Sequence, residues 1–156
     1  MEAHIYIRTM TKEEVLSYLP YSKPFLFVDT LEYIDENSVK GSYTFDKDLV
    51  FYNGHFINNP VTPGVILTET MAQIGLACLG IYLLKDTIQQ QQPGIALTSS
   101  EVSYYLPVYP GEVVNVVANK VYFRFGKLKC QVALWNEAGQ LVCDGTLAGM
   151  IITDKK

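Results

Sequence analysis

The sequence predicts an α+β domain: two strands, one long apolar helix, then four more strands. Three observations carry this. Residues 64–84 form an almost unbroken apolar run opened by Pro63-Gly64, long enough for a core helix. Residues 39–46 alternate strictly between two kinds of side chain, as a half-buried strand does. Residues 95–152 fall into strand-like stretches separated by Gly111, Gly126 and Ala138-Gly139.

Each element has a local reason. Thr11-x-x-Glu14 is a capping box that opens a short helix over 12–18. Phe25–Ile34 and Ser38–Phe45 read as strands around an Asp35-Glu36-Asn37 turn. Val39, Gly41, Tyr43 and Phe45 face one way and Lys40, Ser42, Thr44 and Asp46 the other, so one sheet face is wet. Residues 47–63 form a loop carrying His55, with Gly54 permitting a tight turn. Thr62 is the expected N-cap of the helix 64–84, and Pro63 suits its first position. Gln89–Gln92 is a polar cap after that helix, and strands follow at 95–105, 112–124, 127–136 and 140–152. The helix is apolar nearly all round, more than one sheet is expected to cover, so a second subunit is expected on its remaining face. Gly75 and Gly80 each cost a helix about 1 kcal/mol relative to Ala, which points to close backbone packing.

Composition narrows the function. The chain reads as a single domain, 1–156, with 49% apolar residues and a net charge of −4, which argues against nucleic acid. No signal peptide is visible, and Glu69 and Gln73 argue against a membrane span at 64–84. A cytoplasmic location follows, where Cys78, Cys130 and Cys143 serve as small buried hydrophobes. Two histidines without metal-ligand spacing predict no metal, and nothing calls for a cofactor.

The functional signal lies in 53–73. Gly64 and Val65 open the helix with free N–H groups at the positive end of its dipole, a place for an oxygen gaining negative charge. Glu69 lies about 8 Å further along the axis, at ~1.5 Å per residue. Gln73, at i+4, shares its face and can hydrogen-bond it into position. His55 supplies a base from the preceding loop. Singly, such a His is most often a loop residue bonded to backbone, and such a Glu can face solvent or a partner subunit. Together they point to a site.

Gly54-His55-Phe56, Pro60-Val61, Pro63-Gly64-Val65 and Glu69-x-Met71-Ala72-Gln73 resemble the signature of FabZ-type 3-hydroxyacyl-[acyl-carrier-protein] dehydratases. Leu19-Pro20, Pro24-Phe25-Leu26 and Pro107-Val108-x-Pro110-Gly111 extend the likeness over roughly 13–150. The resemblance implies a hotdog fold, a long central helix wrapped by a curved antiparallel sheet, with sites at a dimer interface. It implies reversible dehydration of a 3-hydroxyacyl thioester to the trans-2-enoyl thioester in fatty-acid or related polyene biosynthesis. His55 would be the base at C2 and Glu69, protonated, the acid at the leaving hydroxyl. Gly64 and Val65 would hold the thioester oxygen and Gln73 would orient Glu69. The partners implied are an acyl-carrier protein or acyl-CoA, and a second copy of the chain or a higher homo-oligomer, with His and Glu of one site drawn from different subunits.

Departures from that pattern bear on partner and acyl chain. Tyr21-Ser22 stand where the family usually has His-Arg, Ser103–Leu106 where it carries basic residues, and Ile57-Asn58-Asn59 where a Pro-Gly pair is common. Lys120, Arg124, Lys127 and Lys129 share a predicted hairpin, either a patch for an acidic carrier or a solvated face. Tyr104, Tyr105 and Tyr109 are expected near the site, as interface residues or as walls for a rigid acyl chain. A hotdog thioesterase and a non-catalytic acyl-binding subunit stay open as alternatives.

Overall fold

The structure, a computed structural model, describes residues 9–88 and 92–152. Helix α1 (Lys12–Ser17) starts on the expected capping box: the Thr11 hydroxyl accepts the Glu14 amide at 3.1 Å, and the Glu14 carboxylate reaches back to the Thr11 amide at 3.5 Å. The strand expected from Phe25 begins only at Thr30, as β1 (Thr30–Ile34). The reason is that the Phe25 and Phe27 peptide groups bond a glutamine side chain from the central helix rather than a neighbouring strand. β2 (Ser38–Thr44) returns after a turn in which Asp35 Oδ1 accepts the Asn37 and Ser38 amides at 2.7 and 2.8 Å. Its alternation is as predicted, with Val39, Gly41 and Tyr43 buried and Lys40 and Thr44 exposed.

A 3-10 turn (Val50–Asn53) leads through the His55 loop into helix α2, Gly64–Leu83. Thr62 does not cap it. Pro63, in extended backbone, is the N-cap, no side chain caps the turn, and the Thr62 hydroxyl is hydrogen-bonded to that of Tyr52 instead. Between Gln73 and Cys78 the helix widens into a π-helical stretch that nothing in its residue pattern announces. Gly54, expected to permit a tight turn, has φ −117°, which any residue adopts, and a Cβ there meets nothing within 4 Å.

After α2 come β3 (Gly94–Tyr104), β4 (Val113–Arg124), β5 (Lys127–Asn136) and β6 (Leu141–Ile152). With β1 and β2 they form one antiparallel sheet in the order β1-β2-β4-β5-β6-β3. The helix thus carries the chain from the β1–β2 side to the opposite edge. Met71, Ile74, Leu76, Leu79 and Ile81 of α2 are buried in one core with Val116, Ala118, Leu128, Leu134 and Leu147 of the sheet. Every residue from Thr70 to Ile81 is buried. The chain's own sheet and the 25–29 segment therefore cover nearly all of the helix, and the expectation that a second subunit must cover its far face is corrected. Only the start stays open, with Val65 74% exposed. Gly75 and Gly80 pack closely, as predicted, but against this same sheet: a Cβ would lie 3.1 Å from Ala118 Cβ and 2.6 Å from Ile151 Cγ1. The expected polar cap at 89–92 falls largely outside the described residues. Cys78, Cys130 and Cys143 are free and buried, and burial pushes each thiol up.

The tightest point of the sheet is Gly145 on β6. A Cβ there would sit 2.0 Å from the Glu101 carbonyl oxygen and 2.8 Å from Val102 Cα, backbone that moves only by parting β3 from β6. Gly145→Ala is expected to destabilise by about 3 kcal/mol or more, and Gly54→Ala by less than about 0.5 kcal/mol. Urea midpoints measure both; similar midpoints for the two variants would contradict the packing described.

Candidate active site

Gln73 is fully buried, so each of its polar atoms needs a partner. Its Oε1 accepts the Phe27 amide at 2.8 Å, and its Nε2 donates to the Phe25 carbonyl and to Glu69 Oε2, both at 3.0 Å. One acceptor faces an N–H and two donors face oxygens, so the amide can sit only one way round. The sequence-predicted Glu69–Gln73 pair is therefore brought together, with the carboxyl held by a donor that is itself fixed.

Glu69 opens onto a cavity of about 230 Å³ lined by Tyr21, Phe25, Ala72, Leu76, Ile95 and Leu97. Burial in these surroundings pushes its carboxyl above the ordinary 4.5, and the Gln73 donor pulls the other way without cancelling the shift. Among the described residues Oε1 takes no protein hydrogen bond, which leaves it to carry a proton into the cavity. Tyr21 is pushed up to about 12, chiefly by burial and then by the charge of Glu69, so its phenol stays a neutral donor. The sequence signal for these walls was slight: Tyr21 stood out only as a departure, and Ile95 and Leu97 not at all.

At the helix start, the first intrahelical bonds are from the Ile66 and Leu67 amides to the Pro63 carbonyl, at 2.9 and 3.2 Å. The Gly64 and Val65 amides precede that ladder and are free to meet a ligand oxygen. Gly64 is required for space. A Cβ would press on the ring of Tyr104 at 3.2 Å, so that ring would have to give by a few tenths of an ångström. The Tyr104 hydroxyl is hydrogen-bonded to Thr68, which ties edge strand β3 to the first turns of α2. Tyr105 turns away, donating to Asp144 at 2.8 Å.

His55 is held separately. Its Nδ1 lies 2.8 Å from the Val61 carbonyl, and its own carbonyl accepts the Val61 amide at 2.9 Å. A carbonyl can only accept, so Nδ1 carries the hydrogen and Nε2 of the neutral ring has a free lone pair. The ring stacks on Phe56, centroids 4.1 Å apart. His55 does not line the Glu69 cavity: within one chain the two are not joined. A larger open hollow of about 940 Å³ lies on the outer sheet face around Trp135, Asn115, Asn119 and Gln131, and none of His55, Gly64, Glu69 and Gln73 lines it. Among the described residues no group of His, Cys, Asp and Glu is placed to hold a metal ion.

A long helix wrapped by one antiparallel sheet, with a carboxyl on that helix lining an apolar cavity, defines a hotdog-fold protein. The FabA-like domain family matches residues 19–150, and the chain belongs to that family. A relative from Nitratidesulfovibrio vulgaris, 3-hydroxyacyl-[acyl-carrier-protein] dehydratase FabZ, is 33% identical over 86% of this chain and 82% of its own. The FabZ of Caldicellulosiruptor bescii is 33% identical over 86% of this chain and 94% of its own. Among solved structures, the dehydratase heterocomplex ApeI:P from Xenorhabdus doucetiae matches with a TM-score of 0.75 at 18% identity, covering 91% of both chains. Thioesterase HI1161 from Haemophilus influenzae matches at 0.65 and 16%, covering 94% of this chain and 93% of that one. These two likenesses establish the fold.

Two outcomes follow from the acid's surroundings. Gln73→Leu leaves the Phe27 amide and Phe25 carbonyl buried and unpaired, and is expected to destabilise by about 2–4 kcal/mol in urea unfolding. The raised value of Glu69 makes its stabilising contribution full below 4.5 and progressively lost as pH rises through the folded value. Glu69→Gln removes that loss, so its stability relative to wild type should grow as pH rises from 4.5 to the folded value and level off above it. A pH-independent difference would show that Glu69 titrates normally.

Proposed function

We propose that this chain catalyses the reversible loss of water from a 3-hydroxyacyl thioester on acyl-carrier protein, giving the trans-2-enoyl thioester. The observation that carries the reading is Glu69, an acid whose proton is favoured by burial and whose orientation is set by Gln73. The relatives' names supply the carrier, and acyl-CoA is the analogue that shares its thioester arm.

The steps follow from the groups available. The Gly64 and Val65 amides receive the thioester oxygen as enolate character develops, which acidifies C2. His55 Nε2 takes the C2 proton. The released electron pair forms the C2–C3 double bond as the C3–O bond breaks, and Glu69 delivers its proton to the departing hydroxyl, which leaves as water. Return of a proton from His55 to Glu69 through solvent restores both groups.

The working unit is a homodimer of single-domain chains acting in the cytoplasm. Strand β3 offers an open edge of 11 residues, without proline and with Glu101 as its one charge. Soluble proteins do not leave such an edge bare. Leu97 and Tyr104 on β3, Val65 on α2, and Phe56 and Ile57 beside His55 are all exposed apolar side chains around it. A second copy seated there covers them and sets the His55 loop of one chain against the Glu69 cavity of the other. This accounts for the separation of the two residues within a chain.

Hydration of a crotonyl thioester, read as loss of enone absorbance with a parallel thiol assay, tests the reading. Loss without thiol release is expected, reduced about 100-fold or more in both His55→Ala and Glu69→Gln. Thiol release instead would make the protein a thioesterase, and binding without turnover an acyl-binding subunit. Light scattering at micromolar concentration is expected to give a dimer; a monomer that still turns over would refute the shared site.

A further inference from the structure

The β4–β5 hairpin ends in a two-residue turn, Phe125-Gly126, with φ of +53° and +77°. Such turns call for Asn or Asp followed by Gly, because both central residues take left-handed backbone. A bulky apolar side chain is strained in that position. Phe125 is nonetheless there, and it is 97% exposed, so no packing within the chain offsets the strain. Around it lie cations that form no ion pair among the described residues. The ion pairs formed among the described residues are Lys40–Glu32 and Lys85–Glu36, and none involves Lys120, Arg124, Lys127 or Lys129. Arg124 and Lys129 flank the Tyr122 ring, at 4.4 and 5.9 Å from its centroid, which gathers charge on one side of the hairpin. Val121, also exposed, adds a second apolar group beside them.

We propose that this hairpin tip docks on an anionic lipid bilayer, with Phe125 entering the interface and the Arg and Lys side chains meeting lipid phosphates. The shape favours that occupant. A protruding tip with one apolar residue and a cationic collar needs no matching groove in its partner. A bilayer supplies both the apolar boundary and the negative surface in one plane. The net charge of −4 means that attraction has to be local, as the unpaired cations of this hairpin make it. The tip is linked through β6 to the strand that lines the cavity described above. The Ile151 amide donates to the Gly126 carbonyl at 2.9 Å, and Ile151 pairs with Ile95, which lines that cavity.

The test is co-sedimentation of the full chain with vesicles of phosphatidylcholine alone or mixed with phosphatidylglycerol. Binding to the mixed vesicles only, weakened by salt, is expected. Removing Arg124 and Lys127 charges by Gln should weaken it about fivefold each. Phe125→Asn is the decisive variant: it creates the favoured Asn-Gly turn and should stabilise the hairpin, yet weaken vesicle binding about tenfold. Phe125→Leu should retain binding. Crotonyl thioester turnover should be unchanged in all of them, and vesicle binding does not depend on whether the dehydratase reading holds. No binding to anionic vesicles at low salt, or binding indifferent to Phe125→Asn, overturns the proposal. Binding of an acidic carrier protein that is lost in the same variants, without vesicle binding, overturns it in favour of a protein partner.

Discussion

The buried side chain of Gln73 ties together three parts of the molecule: the central helix, the segment that packs along it and the acid at the cavity. The segment after Pro24 runs along α2 without a strand to pair with until Thr30, and its peptide groups would be orphans in an apolar setting. Gln73 offers one acceptor and two donors, and all are used: the Phe27 amide, the Phe25 carbonyl and the Glu69 carboxyl. A network of this kind is worth having only when complete, because any unpaired member would carry a desolvation penalty of about 1–3 kcal/mol. The helix, the segment that closes its face and the acid are thus fixed as one unit.

The two halves of the site rest on different supports. Glu69 and the Gly64 amides belong to a helix buried from Thr70 onward, and their spacing is set by helical geometry. His55 belongs to a loop closed on itself by two bonds with Val61 and fastened to the sheet side by the Thr62 amide on the Val108 carbonyl, 2.8 Å. Neither half needs the other in order to fold. Within one chain the two halves stay apart, and among the described residues the outer edge of β3 has no strand partner.

Much of this was legible from residue types in order. The Pro63-Gly64 start, the Glu69–Gln73 pair, the alternation of β2 and the hairpin turns are local patterns, and the structure keeps each of them. What was not legible depends on partners distant in sequence. Thr62 has the right chemistry for a cap, but Tyr52 claims its hydroxyl. Phe25–Asp29 has strand-like composition, but Gln73, more than forty positions away, takes its peptide groups. An apolar helix face looks like an interface until one knows how far a sheet curves. The π-helical stretch from Gln73 to Cys78 has no side-chain signature. Tyr21 became a wall of the cavity through packing that no spacing rule encodes.

The fold is shared with a thioesterase as well as with a dehydratase complex, so the fold cannot decide the chemistry. The protonation of one carboxyl can. A hydrolase needs it ionised, to draw a proton from water; a dehydratase needs it protonated, to give one to a hydroxyl. In this chain burial favours the proton and the Gln73 donor opposes it, and burial is the larger effect. The donor therefore strengthens the acid a little, against the effect of burial, while it sets the direction of the carboxyl. It occupies Oε2, so a proton on this carboxyl would sit on Oε1. A little proton affinity is exchanged for a fixed orientation of the carboxyl at the mouth of an apolar cavity.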